Sequence, residues 1–371
     1  MKLALVRQRY NPYGGAERYI ERAVAALERE GAEVTLIARQ WSGDAKRVLP
    51  VDPFYIGRWW RDAGFARAAR AAWERGGFTL VQSHERIPGA DIFRAGDGVH
   101  RQWLENRARD ASIFERLSTA LSPYHRYVCA AEKAMFEHPR LRAVICNSRM
   151  VRGEILRRFS VAEDKLHVIY NGVDTGRFHP RERAARDGAD MVLVFVGSGF
   201  ARKGLDTVLA AMARTRVRCR LVVVGRDRQQ ARFAALAQSL GIAGRVTFAG
   251  GVDDVRPYYV AADALVLPTL YDPFPNVVLE AMAMGLPPIV SEQCGAAELV
   301  VHGESGWIVP ARDVAALGDA FEQLEDRERR ARMSVAARAA VEPFTIEAMA
   351  VQLLSLYRSL EGEGAVQFRR V

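Results

Sequence analysis

Cysteine is scarce and scattered in this chain: Cys129, Cys146, Cys219 and Cys294 show no metal-type spacing. That argues against a disulfide-stapled fold and a cysteine metal site, and in a reducing compartment the four are expected to be free thiols. Long hydrophobic runs are also missing, since none approaches the roughly 20 apolar residues that cross a bilayer. The first apolar segment, Met1–Val6, is too short for a secretory signal and leads into a strand–loop–helix pattern, which places the protein in the cytoplasm as an expectation. No Gly-x-Gly-x-x-Gly follows the first strand, and the second ends Ile37-Ala38-Arg39 without an acid, which disfavours a nicotinamide-dependent dehydrogenase. No Asp-x-Asp stands in an obvious binding loop, and Asp253-Asp254 reads as a helix cap, so no essential metal is expected. Internal repeats and nucleic-acid-reading motifs are absent as well.

What is present suits two α/β domains. A chain of 371 residues, 49% hydrophobic and 26% charged, exceeds one ordinary core and divides naturally into domains of roughly 150–200 residues. The net charge of +9 would serve an anionic substrate, an anionic membrane face or nucleic acid. With the arginines spread widely and no reading motif, nucleic acid is not an expected partner.

Strands are expected at Lys2–Arg7, Val34–Ala38, Phe78–Gln82, Arg142–Cys146 and Leu166–Tyr170, with helices over Ala16–Glu30, Arg58–Arg75 and Ser148–Phe159. The polar, strandless stretch near 180–190 reads as a linker. A second α/β layer then starts at Met191–Val196 and continues through strands Cys219–Val224, Arg245–Phe248, Ala264–Leu267 and Pro287–Val290. Pro343 precedes a last amphipathic helix, Ile346–Leu360, and a loose tail from Glu361. The expected division is therefore 1–180, 190–342 and a C-terminal segment 343–371.

The organising stretch is Tyr271-Asp-Pro-Phe-Pro-Asn-Val-Val-Leu-Glu280-Ala-Met-Ala-Met-Gly285, directly after a buried strand. Polar groups at the C-terminal end of such a strand sit where α/β layers bind ligands. Asp272 lies in the loop, and Glu280 lies about one turn into the helix starting near Asn276, whose first amides suit an anion. An alternative is a loop acid beside a solvent-facing glutamate. In the loop before the helix Leu205–Ala213, Gly197-Ser-Gly-Phe-Ala-Arg202-Lys203-Gly204 combines flexible backbone, amides and two cations, as a diphosphate requires, although Arg-Lys in a loop is commonplace. Gly14-Gly15 either admits a ligand close to the backbone or makes a tight turn. Asp97, between Gly96 and Gly98, either contacts substrate or caps the helix beginning near Arg101. Residues 58–75 and 101–138 are basic, aromatic-bearing amphipathic segments. The first lies against a membrane surface or packs on a core with a solvated arginine face.

Taken together, these residues resemble the family 4 glycosyltransferases. The resemblance rests on Gly14-Gly15, on Asn171-Gly-Val-Asp174 with Arg177, on Arg202-Lys203-Gly204, and on Asp272-Pro-Phe-Pro-Asn-x-x-x-Glu280. Gly197-Ser-x-Phe-x-Arg-Lys-Gly-x-Asp206, Pro88-Gly-Ala-Asp91 and the basic segment after Asp97 bring it closest to the lipopolysaccharide-core glucosyltransferase I group.

The resemblance implies a GT-B fold, with two Rossmann-like domains facing across a deep cleft and the C-terminal helix returning to the first. It implies a retaining, metal-independent transferase, with UDP-glucose as the first guess for donor and no cofactor. The acceptor would be a lipid-linked glycan at the inner face of the cytoplasmic membrane, reached through the two basic segments. By the same resemblance Glu280 holds the ribose hydroxyls, Asp272 those of the donor sugar, and Arg202 and Lys203 the diphosphate. Gly14 and Gly15 let the donor approach, Arg177 adds a cation, Phe274, Pro275, Asn276 and Val277 complete the donor site, and Asp97 contacts the reacting sugar. Domain closure would hinge near 180–190 and Pro343. Two departures leave the donor open: Asp272 stands where the family usually has Glu, and Pro275 where many members have Gly. Other readings are UDP-N-acetylglucosamine, UDP-galactose or GDP-mannose as donor in capsule or exopolysaccharide assembly, a nucleotide-sugar epimerase or phosphorylase, and a non-catalytic nucleotide-sugar-binding membrane scaffold.

Overall fold

The computed structural model describes residues 1–8, 24–25, 27–29, 31–41, 47–108, 112–181 and 190–367, with side chains described to Gly362. The chain forms two compact units, one of residues 1–171 with 346–371, the other of residues 172–345.

The first unit is built on a parallel seven-stranded sheet. Its strands are β1 (Lys2–Val6), β2 (Glu33–Ala38), β3 (Val48–Pro50), β4 (Leu80–Ser83), β5 (Ile92–Arg94), β6 (Ala143–Cys146) and β7 (Leu166–Val168), in the order β3-β2-β1-β4-β5-β6-β7. Its helices include α1 (Gly57–Arg75), α2 (His100–Ala108), α3 (Ile113–Leu121), α4 (Pro123–Phe136), α5 (Arg149–Arg158) and, from the far end of the chain, α12 (Ile346–Gln367). Both faces of a parallel sheet must be covered, and alternation along β1 shows how. Leu3 and Leu5 point into a core completed by Met349, Leu353, Tyr357 and Leu360 of α12. Ala4 and Val6 point the other way, onto Phe65, Ala69 and Trp73 of α1. Tyr357 Oη also donates to Gln82 Oε1 at 2.5 Å, fastening α12 to β4.

The second unit repeats the scheme with six parallel strands. They are β8 (Met191–Val196), β9 (Cys219–Val224), β10 (Val246–Gly250), β11 (Ala264–Leu267), β12 (Pro288–Ser291) and β13 (Trp307–Val309), in the order β10-β9-β8-β11-β12-β13. Among the described residues six α-helices accompany them: α6 (Leu205–Arg214), α7 (Gln230–Ser239), α8 (Arg256–Ala261), α9 (Asn276–Ala283), α10 (Val314–Gln323) and α11 (Arg327–Val341). The strand order reverses between β8 and β11, and such switch points open a ligand crevice at the strands' carboxyl ends.

Several expectations need correction. The boundary falls at Asn171/Gly172 rather than at 180–190, because Val173 and Phe178 are buried in the second unit. Val173 bridges Thr345, its amide donates to Phe344 O at 2.9 Å, and Arg338 donates to the Phe178 carbonyl at 3.0 Å. The third segment begins at Ile346 rather than 343, and its helix runs past Leu360 to Gln367 despite Gly362 and Gly364. Strands β3 and β5 were not expected. β3 is three exposed edge residues, and β5 is three residues flanked by charge. Segment 101–138 resolves into α2, α3 and α4. A Ser112–Glu115 capping box starts α3, and Ser122 with Pro123 starts α4. Helix α1 buries Phe65, Ala69 and Trp73 on one stripe, as a core-packed helix does, while Trp59 and Trp60 at its start are exposed. Of the expected helix 16–30, only residues 24, 25 and 27–29 are described, and these are helical.

Because α12 closes one face of the first sheet, Leu353→Ala is expected to destabilise that unit by about 2–4 kcal/mol. Urea unfolding followed by tryptophan fluorescence, dominated by Trp41, Trp59, Trp60, Trp73 and Trp103, measures this. An unshifted transition would mean that α12 is not part of that core.

Candidate active site

The switch point of the second sheet is made by two loops, 197–204 after β8 and 268–275 after β11. The first is anchored by Phe200, which is fully buried among the rings of Phe195, Phe233 and Phe248 at centroid distances of 5.9, 5.7 and 6.3 Å. The Phe200 amide donates to Asp227 Oδ2 at 2.8 Å. Two glycines are needed for packing as well as for conformation. A Cβ on Gly197 would lie 2.6 Å from Lys203 Cε, so the lysine crosses the loop through space only glycine leaves. At Gly204 a Cβ would lie 2.2 Å from the Pro268 carbonyl oxygen, and its φ of 79° is a left-handed conformation that favours glycine. The loops are joined at the Arg202 carbonyl, which accepts from Leu270 N at 2.8 Å and from Thr269 Oγ1 at 3.0 Å.

This scaffold brings two cationic side chains onto one carboxylate oxygen. Arg202 Nη1 and Lys203 Nζ both donate to Asp272 Oδ2, at 3.0 and 2.9 Å, and Arg202 Nη1 also reaches the Tyr271 carbonyl at 2.9 Å. Asp272 and Lys203 are buried, and Arg202 is half-buried. The Asp272 backbone is held from the other side: its amide donates to Gln293 O at 3.1 Å and its carbonyl accepts from Gly295 N at 2.9 Å. Burial alone would push the Asp272 carboxyl pKa up. The charges of Lys203 and Arg202, with their hydrogen bonds, outweigh that and hold it below the ordinary value. Beside it, burial and the Asp272 charge push the Cys294 thiol up to about 12, so this cysteine is a neutral wall of the site.

Helix α9 opens just beyond. Pro275 is its N-cap, no side chain caps it, and Asn276 and Val277 form its half-buried first turn, while Phe274 is buried. Glu280 lies one turn in, where Tyr259 Oη stands 3.3 Å from its Oε2 and 3.4 Å from the Val277 carbonyl. The start of α9 carries no side-chain cap and follows Asp272 within the same loop, an arrangement of the kind that suits an anion.

Gly14 and Gly15 fall outside the described residues. Arg177 contacts Phe178, with its guanidinium 5.6 Å from the ring, and its charge lowers the Asp254 pKa; no described contact joins it to the Arg202–Lys203–Asp272 group. Asp97 belongs to the first unit, and of its two readings the cap is not realised. The His100 amide at the start of α2 is taken by Glu132 Oε1 at 2.9 Å, a buried carboxylate also held by Arg86 at 2.8 Å. Asp97 is 58% exposed in its side chain and faces Arg7 Nη1 at 3.6 Å. Asp254 accepts the amide of Arg256 at 3.0 Å, and its hydrogen bonds to that residue bring its pKa down to about 2. Among the described residues, no three His, Cys, Asp or Glu side chains are grouped to hold a metal.

Sequence reasoning missed Asp227, Thr269 and Tyr259, which act by bracing the loops and α9. Their partners lie 27, 67 and 21 residues away along the chain, and no spacing rule exposes such pairs.

Comparison with known proteins gives the family and the fold. Residues 13–177 match the model for "Glycosyltransferase Family 4", and residues 178–340 that for "Glycosyl transferases group 1". The lipopolysaccharide glucosyltransferase WaaG of Escherichia coli K12 is 24% identical, over 83% of this chain and 85% of that protein. The lipopolysaccharide core biosynthesis glycosyltransferase LpsE of Rhizobium meliloti is 28% identical, over 86% and 88%. A crystal structure of WaaG superposes with a TM-score of 0.82 at 22% identity, covering 95% of this chain and 99% of that one. Anabaena HepE, solved with UDP-glucose, superposes with a TM-score of 0.73 at 19% identity, covering 97% and 100%. Two family models that together span residues 13–340, and two Rossmann-like units in the GT-B fold, show that the chain belongs to the family 4 glycosyltransferases, where it fits the lipopolysaccharide-core group.

Proposed function

We propose that the protein is a retaining glycosyltransferase that moves a hexose, with UDP-glucose the first donor to test, onto a lipid-linked glycan of the lipopolysaccharide-core type. The observation that carries this reading is the convergence of Arg202 and Lys203 on Asp272 at the switch point of the second unit. Breaking the anomeric bond builds negative charge on the leaving diphosphate. Two fixed cations and the first amides of α9 stabilise that charge without reorganising. Arg202 and Lys203 supply positive charge of the kind a divalent ion provides in other transferases, and on that basis the reaction is proposed to be metal-independent. Asp272 offsets the cost of burying the cations while the site is empty. With donor bound it has a second role, accepting hydrogen bonds from the transferred sugar. Glu280, steadied by Tyr259, takes the ribose hydroxyls. Asp97, exposed at the carboxyl edge of the first sheet, is the acceptor-side candidate. UDP-glucose is favoured by the likeness to proteins described with that donor or as glucosyltransferases. Other relatives are described as inositol-phosphate glycosyltransferases and mannosyltransferases, which keeps other donors in the test set.

We further propose that the first unit rests on an anionic membrane face through the start of α1 and the α2–α4 segment. Exposed Trp59, Trp60, Phe114 and Leu117 beside arginines support this. Each arginine contributes on the order of 1 kcal/mol near such a surface.

Titration calorimetry with UDP, UDP-glucose, UDP-N-acetylglucosamine, GDP-mannose and NAD tests the donor site. Glu280→Ala is expected to lose about 1.5–3 kcal/mol of UDP affinity, and unchanged affinity removes Glu280 from its role. Asp272→Asn leaves two cations facing a neutral amide and is expected to cost about 3 kcal/mol of stability at pH 7. Since the folded carboxyl pKa is depressed, this advantage of the native residue is complete above the unfolded value near 3.9 and is lost as pH falls through the folded value. The gap between the thermal melts of the two proteins should narrow as pH falls below about 4, and a gap that stays constant down to pH 3 would contradict the ion-pair assignment. Flotation with anionic vesicles should weaken as salt rises, and salt-independent binding would contradict the membrane reading.

A further inference from the structure

Asp97 stands between two glycines, yet its backbone is fixed on both sides. The turn 95–98 leaves the sheet where the Ala95 amide donates to Ile145 O at 2.9 Å, and it closes with the Gly98 amide on the Ala95 carbonyl at 3.2 Å. Two side chains from distant parts of the first unit hold the flanking carbonyls. Asn147, just after β6, donates through Nδ2 to Gly96 O at 3.2 Å, and Arg86, after β4, donates through Nη2 to Gly98 O at 2.8 Å. The peptide plane before Asp97 is therefore held by Asn147, the plane after it by the Ala95 carbonyl, and the next one by Arg86. Two fixed planes determine φ and ψ of the residue between them, and with these the direction of its Cβ. Gly98 adopts a left-handed φ of 65°, so the turn needs glycine, and glycines without such anchors would leave Asp97 loosely aimed.

We propose that Asn147 and Arg86, with Glu132 behind Arg86, are positioning residues that aim the Asp97 carboxylate at the sugar it meets. The proposal rests on the reading of Asp97 as the acceptor-side group. Asn147 is buried, and its Oδ1 is buried without a hydrogen-bond partner among the described residues. Such an unmatched amide oxygen costs stability that an apolar residue of similar size would not, so the contact with Gly96 is what the amide supplies. Arg86 divides its guanidinium between two partners, Nε donating to Glu132 Oε1 at 2.8 Å and Nη2 to Gly98 O. Glu132 is buried, and its Oε1 also accepts the His100 amide at 2.9 Å, so one carboxylate fixes both the start of α2 and the arginine that fixes the turn. The planar fork of a guanidinium reaches both partners at once. A lysine ammonium in its place keeps the charge beside Glu132 and gives up the directed second bond. The Asp97 carboxylate, exposed and 3.6 Å from Arg7 Nη1, stays open to a ligand while its aim is set through the backbone.

Hydrogen exchange read by mass spectrometry on the full-length protein tests the clamp without any substrate. In Asn147→Ala and in Arg86→Lys the peptide spanning 95–99 is expected to exchange about five- to tenfold faster, while peptides of β1, β4 and β6 keep their protection. Unchanged exchange at 95–99 in both variants overturns the clamp. Transfer is followed as UDP release from UDP-glucose with truncated lipopolysaccharide as acceptor. Each variant is expected to lower kcat about ten- to a hundredfold and to leave UDP affinity, a property of the second unit, unchanged. Asp97→Asn separates the clamp from the reading beneath it. If Asp97→Asn is slow and a clamp substitution adds nothing further, Asn147 and Arg86 act through Asp97; effects that multiply instead mark a merely structural role and overturn the proposal. Asp97→Asn transferring at the native rate removes the acceptor-side reading and the clamp together. Slow transfer by Asp97→Asn beside native rates in both clamp variants removes the clamp alone. Where Asp97→Asn leaves no rate to measure, exchange at 95–99 decides.

Discussion

Keeping a buried lysine and a half-buried arginine together at the end of a β-sheet constrains the whole second unit. Lys203 and Arg202 remain there because a single carboxylate, Asp272, meets both of them at hydrogen-bonding distance. That carboxylate must be placed accurately, and the surrounding structure does so from every direction. Gly197 clears a path for the lysine, Phe200 pins one loop, Thr269 and Leu270 tie it to the other, and the strand-edge contact with Gln293 and Gly295 holds Asp272 from behind. A site braced in this way can exchange its own anion for that of a ligand with little rearrangement, which is what stabilising a leaving group requires.

The first unit answers a different constraint. Its sheet needs cover on both faces, and the residues between β1 and β7 supply α1 on one of them. The other is closed in part by α12, which the chain provides only after completing the second unit. The fold of the first unit therefore depends on the last segment of the chain, and the bond from Tyr357 to Gln82 places that dependence next to the carboxyl end of β4.

Around α2, α3 and α4 the same residue type does two kinds of work. Arg158 neutralises Glu105, and Arg86 satisfies the buried Glu132 that starts α2. Composition reports only a basic segment, and which acid each of these arginines meets is decided only once the helices are packed.

The sequence by itself determined the α/β class, most strands of both sheets, and the residues most worth testing. These features are local. Apolar runs such as Met191–Val196 are set by burial on both faces, and Asp272 through Glu280 carries its loop and helix start within a few residues. Tertiary structure alone decided what depends on distant partners. β3 and β5 are too short and too charged at their ends to read as strands without neighbours to pair with. The unit boundary moved to Asn171/Gly172 because Val173 and Phe178 find apolar partners in the second unit, which no linker composition announces. Asp97 lost its capping role to Glu132, a residue 32 positions from the amide it accepts. The joining of Asp272 to both cations was likewise invisible, because electrostatic pairing acts through space across about 70 residues of intervening chain, whereas sequence patterns record only what lies within a turn or two.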